Sequence, residues 1–320
     1  MSLPLPGTAD DRAVGVLLGA ACGDALGVPY EFRPPLREDE TPAMVGGGLG
    51  PYAPGEYSDD TQMAVCVAEA LRDHDDPLSP EALAATARAF LRWRDEGATD
   101  IGNQTARVLG EAEHARRTDR VAQVMAEGAA ELYAAGVPSA GNGSLMRTGP
   151  LALAYLDDPR GLAVAARRFS DLTHGDPLAG EACVLWCEGV RHAVADADLG
   201  GVRAGLDLLP EDRRDAWSGW LDEAEARPPH AFGDNGFVVR ALQAAWSAVT
   251  REDGFAPALT SAVRAGNDTD TVAAIAGALL GARWGARSIP AEYVSAVHGW
   301  PGYRAEGLAD LALAVTRRHS

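Results

Sequence analysis

Two short clusters of carboxylate and hydroxyl side chains are the residues best suited to do chemistry in this chain. They occupy positions 58–61 (SDDT) and 268–271 (DTDT), near opposite ends of the sequence. Each is followed at once by an apolar run at helical spacing. Hard divalent cations such as Mg²⁺ take oxygen ligands, and pairs of such ions about 3.5–4 Å apart recur in hydrolysis and group transfer. If the fold brings the two clusters together, they form a two-metal site built from oxygen atoms.

The same clusters also lie where two helices are predicted to begin, which offers a structural explanation. Ser, Thr and Asp are favoured N-cap residues, and the helix dipole stabilises carboxylates in the first turn. Capping alone does not require adjacent oxygen atoms to face one cavity. Two clusters of matching composition therefore favour metal binding.

Other polar residues lie in or beside irregular segments. Asp24 stands in a mostly apolar helix end, where bonding to backbone N–H groups would explain it, and Glu31, in the loop after Pro29, is the better ligand candidate. Asp100 precedes a predicted helix and is either a cap or a base. His174 occupies a loop, where a structural role or a ligand contact is expected more often than catalysis.

The segment 141–147 (GNGSLMR) is a glycine-containing turn that runs towards a predicted helix. Glycine lets the backbone approach a ligand closely, and N–H groups at a helix start can hold phosphate. Arg147 would add positive charge there, or form a structural salt bridge. A simple turn is the alternative explanation.

The composition excludes several classes of function. The chain has 320 residues and a net charge of −18, and its 28 basic residues are all arginine. A P-loop lysine, a Schiff-base lysine and a lysine general base are therefore impossible, and nonspecific nucleic-acid binding is not expected. The four cysteines form no CxxC pair and are expected to be buried free thiols in a reducing cytoplasm. No signal peptide and no uninterrupted membrane-length apolar run are apparent.

The remaining pattern predicts an all-α fold, a compact multi-helix bundle in a single domain over 1–320. Helical periodicity recurs along the chain and alternating strand patterns are scarce. Small residues in the first helix, such as Gly15, Gly19 and Gly23, would let a second helix approach closely. The irregular stretches are 28–57, 136–149, 173–177 and 227–235. The acidic clusters can meet only if helices from both ends of the chain pack together.

Two other hydrolase classes fit the sequence less well. Positions 268–272 (DTDTV) match the motif of haloacid-dehalogenase-type phosphatases, but that motif ends a buried strand and needs a later lysine. Here the motif opens a predicted helix and the chain has no lysine. His74 and Asp75 hint at an HD phosphohydrolase, but they lie in a polar loop without supporting histidines.

Six segments, in the same order, resemble the ADP-ribosylglycohydrolase family, which includes dinitrogenase reductase-activating glycohydrolase and the ADP-ribosyl-acceptor hydrolases. They are 23–31 (GDALGVPYE), 58–63 (SDDTQM), 100–105 (DIGNQT), 141–147 (GNGSLMR), 172–177 (LTHGDP) and 265–282 (AGNDTDTVAAIAGALLGA). The resemblance implies an all-α domain with a binuclear centre of two Mg²⁺ or Mn²⁺ ions in a cleft. It also implies hydrolysis of the glycosidic bond between ADP-ribose and an acceptor.

The resemblance assigns roles to residues by position. Glu31 and Asp100 are implied to be catalytic, positioning or deprotonating water or protonating the leaving group. The implied metal ligands are Ser58, Asp59, Asp60, Asp268, Asp270 and Thr271. The implied ADP-ribose contacts are Phe32, Gly141, Asn142, Gly143, Ser144, Met146, Arg147 and His174, with Phe32, Tyr30 and Phe237 as candidates for adenine stacking.

Two positions depart from the family pattern, and the acceptor stays open. Ser58 stands where many members have threonine, and Asn267 where many have glycine or a small residue. An arginine-linked ADP-ribosyl protein is the first expectation, on the match of Asp100 to the arginine-specific bacterial members. Serine, O-acetyl, poly(ADP-ribose) and nucleotide linkages, or binding of ADP-ribose without catalysis, are the alternatives. A cytoplasmic monomer without membrane contact is expected.

Overall fold

The structure is a computed structural model that describes residues 4–34, 36–37 and 39–319. Its architecture is the predicted bundle of α-helices. The helices are α1 (Ala9–Gly27), α2 (Asp59–Asp73), α3 (Pro80–Glu96), α4 (Asn103–Ala112), α5 (Val121–Ala134), α6 (Pro159–Asp171), α7 (Pro177–Asp196), α8 (Gly201–Ala204), α9 (Glu211–Ala226), α10 (Val238–Arg251), α11 (Phe255–Val263), α12 (Thr269–Trp284), α13 (Ala291–Ala296) and α14 (Ala305–His319). Two-residue strands β1 (His298–Gly299) and β2 (Tyr303–Arg304) pair antiparallel.

Short 3₁₀ helices replace some of the predicted α-helix. They are Val28–Tyr30, Glu113–Ala115, Leu145–Arg147, Gly149–Ala154, Gly205–Leu208, Pro229–Ala231 and Ala286–Ser288. The apolar residues at 151–156, whose spacing predicts an α-helix, overlap one of these, and Pro150 stands near its start. The glycine turn at 141–147 also leads into a single 3₁₀ turn, so no long helix begins behind it.

The centre of the bundle is the contact between α1 and α12, which comes closest at glycines. A Cβ atom added to Gly19 would lie 2.2 Å from the carbonyl oxygen of Gly277, and one added to Gly15 would lie 2.0 Å from that of Gly281. Such distances are far inside van der Waals contact, so only glycine permits this approach. The predicted close packing of the first helix is therefore confirmed. The same contact places the end of α1, which carries Asp24, beside the start of α12, which carries Asp268 and Asp270.

The first helix has the length and composition of a membrane span, over Ala9–Tyr30, and is the one such helix in the described part of the chain. Nearly all of that segment is buried inside the protein. Helices α2, α7, α12 and α14 all pack against it. It is therefore the core helix of the bundle.

A side-chain cap and a backbone hydrogen bond fix the segments that lead into α7 and α2. The side chain of Asp176 accepts a hydrogen bond from Leu178 N, and Pro177 occupies the first position of α7. This cap ends the loop that contains His174. At α2, Tyr57 N donates to the carbonyl oxygen of His298 (2.9 Å), which ties the approach to the first acidic cluster to β1.

Candidate functional site

Asp24, buried near the end of α1, holds the first turn of α2. Its Oδ1 accepts from Ser58 N (2.8 Å) and Ser58 Oγ (2.7 Å), and its Oδ2 accepts from Thr61 N (3.0 Å) and Thr61 Oγ1 (2.6 Å). A carboxylate has about four lone-pair sites, and these four bonds use them. Asp24 therefore orients Ser58 and Thr61, and the bonding to backbone N–H groups that would explain this residue is present.

The two acidic clusters meet beside Asp24. Ser58 Oγ lies 3.0 Å from Asp60 Oδ2 and 3.4 Å from Asp270 Oδ2. Carboxylate oxygens form two groups within 4.8 Å: Asp24, Asp60 and Asp270 make one, and Glu31, Asp268 and Asp270 the other. Asp270 belongs to both groups. The geometry therefore has two neighbouring oxygen-rich positions that share one carboxylate.

This arrangement has too few hydrogen-bond donors for its acceptors. Ser58 has one hydroxyl proton, and its shortest contact directs that proton to Asp24. Asp60 Oδ1 is buried and has no hydrogen-bond partner among the described residues. Buried polar atoms are normally satisfied, and buried charges are paired or bind metal. An oxygen-preferring divalent cation is the partner that this donor set fits.

Burial and mutual repulsion raise the pKa of these carboxyl groups. Burial is the largest cause, and it raises the pKa of Asp24 to about 6 and that of Glu31 to about 8. The charges of neighbouring carboxylates add to the rise at Glu31. The pKa is also well above its usual range, for the same two reasons, at Asp59, Asp60 and Asp270. A bound cation would reverse this effect by stabilising the ionised forms.

Two asparagines hold the second cluster in place. Asn142 Nδ2 donates to Asp268 Oδ2 (2.7 Å) and to the carbonyl oxygen of Asn235 (2.9 Å). The side chain of Asn235, which is fully buried, donates to Gly266 O (2.8 Å) and accepts from Asp268 N (3.1 Å). Asn142 therefore supports a carboxylate, while it also lines the cleft.

A backbone link joins Glu31 to the second cluster. Phe32 N donates to the carbonyl oxygen of Asn267 at 2.7 Å. Both residues have a left-handed backbone conformation, with φ of 49° and 57° respectively. Asparagine tolerates this conformation better than most residues. Asn267, the departure from the family pattern, therefore keeps the backbone conformation that a glycine would adopt there. The link places Glu31 beside Asp268.

The clusters form the floor of a cleft of about 800 Å³. Glu31 and the half-buried Asp100 both line it, and Asp100 Oδ1 accepts a hydrogen bond from Ile101 N (2.8 Å). The other predicted site residues that line the cleft are Phe32, Asp59, Gly141, Asn142, Gly143, Met146, His174, Asp268, Asp270 and Thr271. Phe237 lines the cleft as well, whereas Tyr30 does not.

Four predicted site residues lie behind the cleft wall. Ser58 and Asp60 are buried beneath the floor, where they complete the oxygen cluster. Ser144 and Arg147 were expected to contact ligand, but both side chains are fully buried. Ser144 Oγ accepts from Ser170 Oγ (2.8 Å), because the 3₁₀ turn after Gly143 directs these side chains into the core.

Sequence reasoning did not select Asp24 or Asn235 as site residues. The signal for Asp24 was present, since a carboxylate in an apolar helix end is unusual. No pattern pointed to Asn235, whose importance depends on contacts with residues 31 and 33 positions away along the chain.

Comparisons with known proteins agree with this geometry. A family model described as ADP-ribosylglycohydrolase matches residues 5–320. ADP-ribosyl-[dinitrogen reductase] glycohydrolase of Rhodospirillum rubrum is 29% identical over 292 residues, which cover 89% of this chain and 90% of that protein. ADP-ribosylarginine hydrolase Tri1 of Pseudomonas putida (strain GB-1) is 31% identical over 299 residues, 91% of this chain and 76% of that protein.

A solved structure named as an ADP-ribosylglycohydrolase-related protein complex has the same fold. It superposes with a TM-score of 0.75 at 33% sequence identity, and the match covers 98% of this chain and 99% of that one. The likeness therefore includes both helices that bring the acidic clusters together.

Proposed function

Because this chain belongs to the ADP-ribosylglycohydrolase family and is therefore a hydrolase that releases ADP-ribose from acceptors, we propose that it acts on ADP-ribosyl-arginine in proteins with two Mg²⁺ or Mn²⁺ ions. The observation that carries the proposal is the convergence of Asp60, Asp268 and Asp270 at and beneath the floor of one cleft, which Asp59 also lines. The relative from Pseudomonas putida, an ADP-ribosylarginine hydrolase by name, supports the arginine linkage.

The residues that would hold the two ions divide between the oxygen groups. Asp60 and Asp270, with Ser58 Oγ, form the deeper set, and Glu31, Asp268 and Asp270 form the outer set. When bound, such ions supply positive charge that stabilises anionic groups and acidifies water. Asp59 and Thr271, which line the cleft beside these sets, are the remaining predicted ligands.

Glu31 is suited to move a proton at the reacting centre. It is buried, it lines the cleft, and its carboxylate lies in the outer oxygen group with Asp268 and Asp270, where the reacting water would be held. In hydrolysis, a water oxygen bonds to the anomeric carbon while the bond to the acceptor nitrogen breaks. Glu31 would accept the water's proton and pass it to the departing nitrogen, so that the carboxylate ends as it began.

Asp100 is suited to recognise the acceptor. Its Oδ1 is engaged by Ile101 N, and the side chain lines the cleft on the side of α4. A carboxylate is the natural partner of a guanidinium, which donates two parallel hydrogen bonds. This arrangement favours an arginine acceptor over a serine or acetyl acceptor, neither of which carries positive charge.

The cysteines support the proposal of a cytoplasmic location. All four are free and buried, which is the usual state in a reducing compartment.

The test is release of ADP-ribose from an arginine-ADP-ribosylated protein in Mg²⁺, in Mn²⁺ and in EDTA, followed by mass spectrometry. Metal-dependent release is expected, and a serine-linked substrate run in parallel should react more slowly. Asp59→Ala and Asp270→Ala should abolish release without changing the circular dichroism spectrum. Asp75→Ala, at a carboxylate whose side chain is 91% exposed, is the matched control and should stay active.

Three results would contradict parts of the proposal. Unchanged release by Asp59→Ala or Asp270→Ala would refute the two-metal site. Faster release from the serine-linked protein would refute the arginine acceptor. Tight ADP-ribose binding without release from any substrate would leave a binding protein on this fold.

A further inference from the structure

Arg147 is the one arginine among the described residues that is fully buried. Its Nη1 donates to Gly143 O (2.9 Å), its Nη2 donates to Thr173 Oγ1 (2.7 Å), and the guanidinium lies 4.7 Å from the Phe90 ring centroid. No carboxylate in the described part of the chain pairs with it. A buried, unpaired charge is costly, so this arginine calls for a role beyond packing.

The contact between Arg147 and Thr173 uses one of the two lone pairs of the threonine hydroxyl. A hydroxyl has one proton to donate and two lone pairs to accept with. The guanidinium group of Arg147 can only donate hydrogen bonds, so Thr173 Oγ1 must accept from it. His174 Nδ1 lies 2.7 Å away and is the one acceptor described for the threonine proton. An Nδ1–H ring would fill the second lone pair instead and leave that buried proton without a partner, which disfavours it.

An acceptor role for Nδ1 places the imidazole proton on Nε2. In a neutral imidazole one nitrogen donates and the other accepts. Burial, with the charge of Arg147, lowers the pKa of His174 to about 3, so the ring stays neutral at working pH. The expected form of His174 is therefore the neutral Nε2–H tautomer.

The Nε2 atom faces the cleft between two glycines. A Cβ atom added at Gly141 would lie 3.3 Å from Nε2, and one added at Gly143 would lie 3.2 Å from Cε1. Both distances are tighter than ordinary contact, so glycine leaves room for the ring and for a ligand beside it. No hydrogen-bond partner for Nε2 is described within the protein, and the ring lines the cleft.

We propose that Arg147 and Thr173 are positioning residues that hold His174 as its Nε2–H tautomer, so that His174 donates a hydrogen bond to an oxygen atom of bound ADP-ribose. The identity of the ligand rests on the proposed function, whereas the tautomer does not. Arg147 therefore acts on the ligand through two side chains, without touching it.

The tautomer can be observed directly by long-range ¹H–¹⁵N spectroscopy of the imidazole rings. The chain has seven histidines, so the His174 signals are assigned by their loss in His174→Gln. We expect the Nε2–H pattern in the wild type and in Thr173→Ser, which keeps the hydroxyl. Thr173→Val removes the proton donor to Nδ1, so the Nδ1 signal should move downfield, as an acceptor nitrogen does when it loses its hydrogen bond. A wild-type spectrum with the proton on Nδ1 would overturn the proposal, even if the valine variant does not fold.

Binding measurements separate this role from a general packing effect. By calorimetry, Thr173→Val should bind ADP-ribose about tenfold more weakly, the loss of roughly one hydrogen bond, while Thr173→Ser binds like the wild type. In a His174→Gln background, Thr173→Val should cause no further loss, because Thr173 acts through His174. Additive losses in the double variant would overturn the proposal. No binding by the wild type would instead refute the proposed function, and the spectrum would still decide the tautomer.

Discussion

The crowded carboxylates at and beneath the floor of the cleft, with Asp24 among them, predict that Mg²⁺ stabilises this protein more strongly as pH rises. Burial raises the pKa of Asp24 from 3.8 to about 6. A group with a raised pKa contributes stability that is fully present below its unfolded pKa and is lost as pH rises through the folded value. Without metal, the cluster therefore destabilises the fold progressively between about pH 4 and pH 6, and Glu31 extends the loss towards pH 8.

The magnitude follows from the Asp24 carboxyl group alone. At about 1.4 kcal/mol for each factor of ten, its rise in pKa corresponds to about 3 kcal/mol. Unfolding entropy near 2.1 cal/mol/K per residue gives a chain of 320 residues about 0.7 kcal/mol/K. The loss therefore equals about 4–5 °C in Tm. A bound divalent cation stabilises the ionised cluster and removes most of this loss.

Thermal melts in Mg²⁺ and in EDTA, at matched ionic strength between pH 4 and pH 8, measure the effect. The Tm difference between the two conditions should grow by about 4–5 °C over this range. Asp270→Asn removes one charge and a ligand shared by both oxygen groups. It should raise the Tm in EDTA at pH 8 and abolish the response to Mg²⁺. A Mg²⁺ response that is constant or falls with pH, or that persists in Asp270→Asn, would refute the reasoning.

Three further predictions concern the frame around the site. Gly277→Ala forces a Cβ atom to 2.2 Å from Gly19 O and should lower the Tm by about 4 °C or more. The control, Gly219→Ala, meets no atom within 4 Å and should raise the Tm slightly. Equal Tm values for the two variants would contradict the packing argument. Asn267→Val places a β-branched residue at φ 57° and should weaken Mn²⁺ binding, measured by electron paramagnetic resonance. Asn267→Gly should preserve that binding. Equal Mn²⁺ affinities would show that the link to Phe32 does not position the ligands. Because all four thiols are buried and burial raises their pKa, a thiol reagent should label none in the native protein and four after unfolding.

Much of the frame could be predicted because its cause is local. The small residues of the first helix predicted a close helix contact, and Gly15 and Gly19 provide it. The apolar periodicity predicted the helical bundle. The two acidic clusters lie at the first turns of α2 and α12, where capping chemistry was expected, and the pairing of those helices brings them together.

The rest depends on contacts that one sequence does not encode locally. Arg147 lies in a motif that resembles a ligand loop, yet a 3₁₀ turn directs its side chain into the core. Asp24 was recognised as unusual, but its four bonds involve residues of another helix. Asn235 gave no signal at all, because its partners come from a different loop. In each case tertiary packing decides the role of the side chain.

The contact between α1 and α12 also determines when the site can exist. Asp24 and the 58–61 cluster are synthesised early, and Asp268 and Asp270 only after most of the chain. Pairings between such distant segments form slowly, since a long loop must close first. A nascent chain that has not yet formed α12 lacks Asp268 and Asp270, so it cannot assemble the complete cation site during translation. Hydrolytic capacity therefore depends on a contact between segments that lie near opposite ends of the chain.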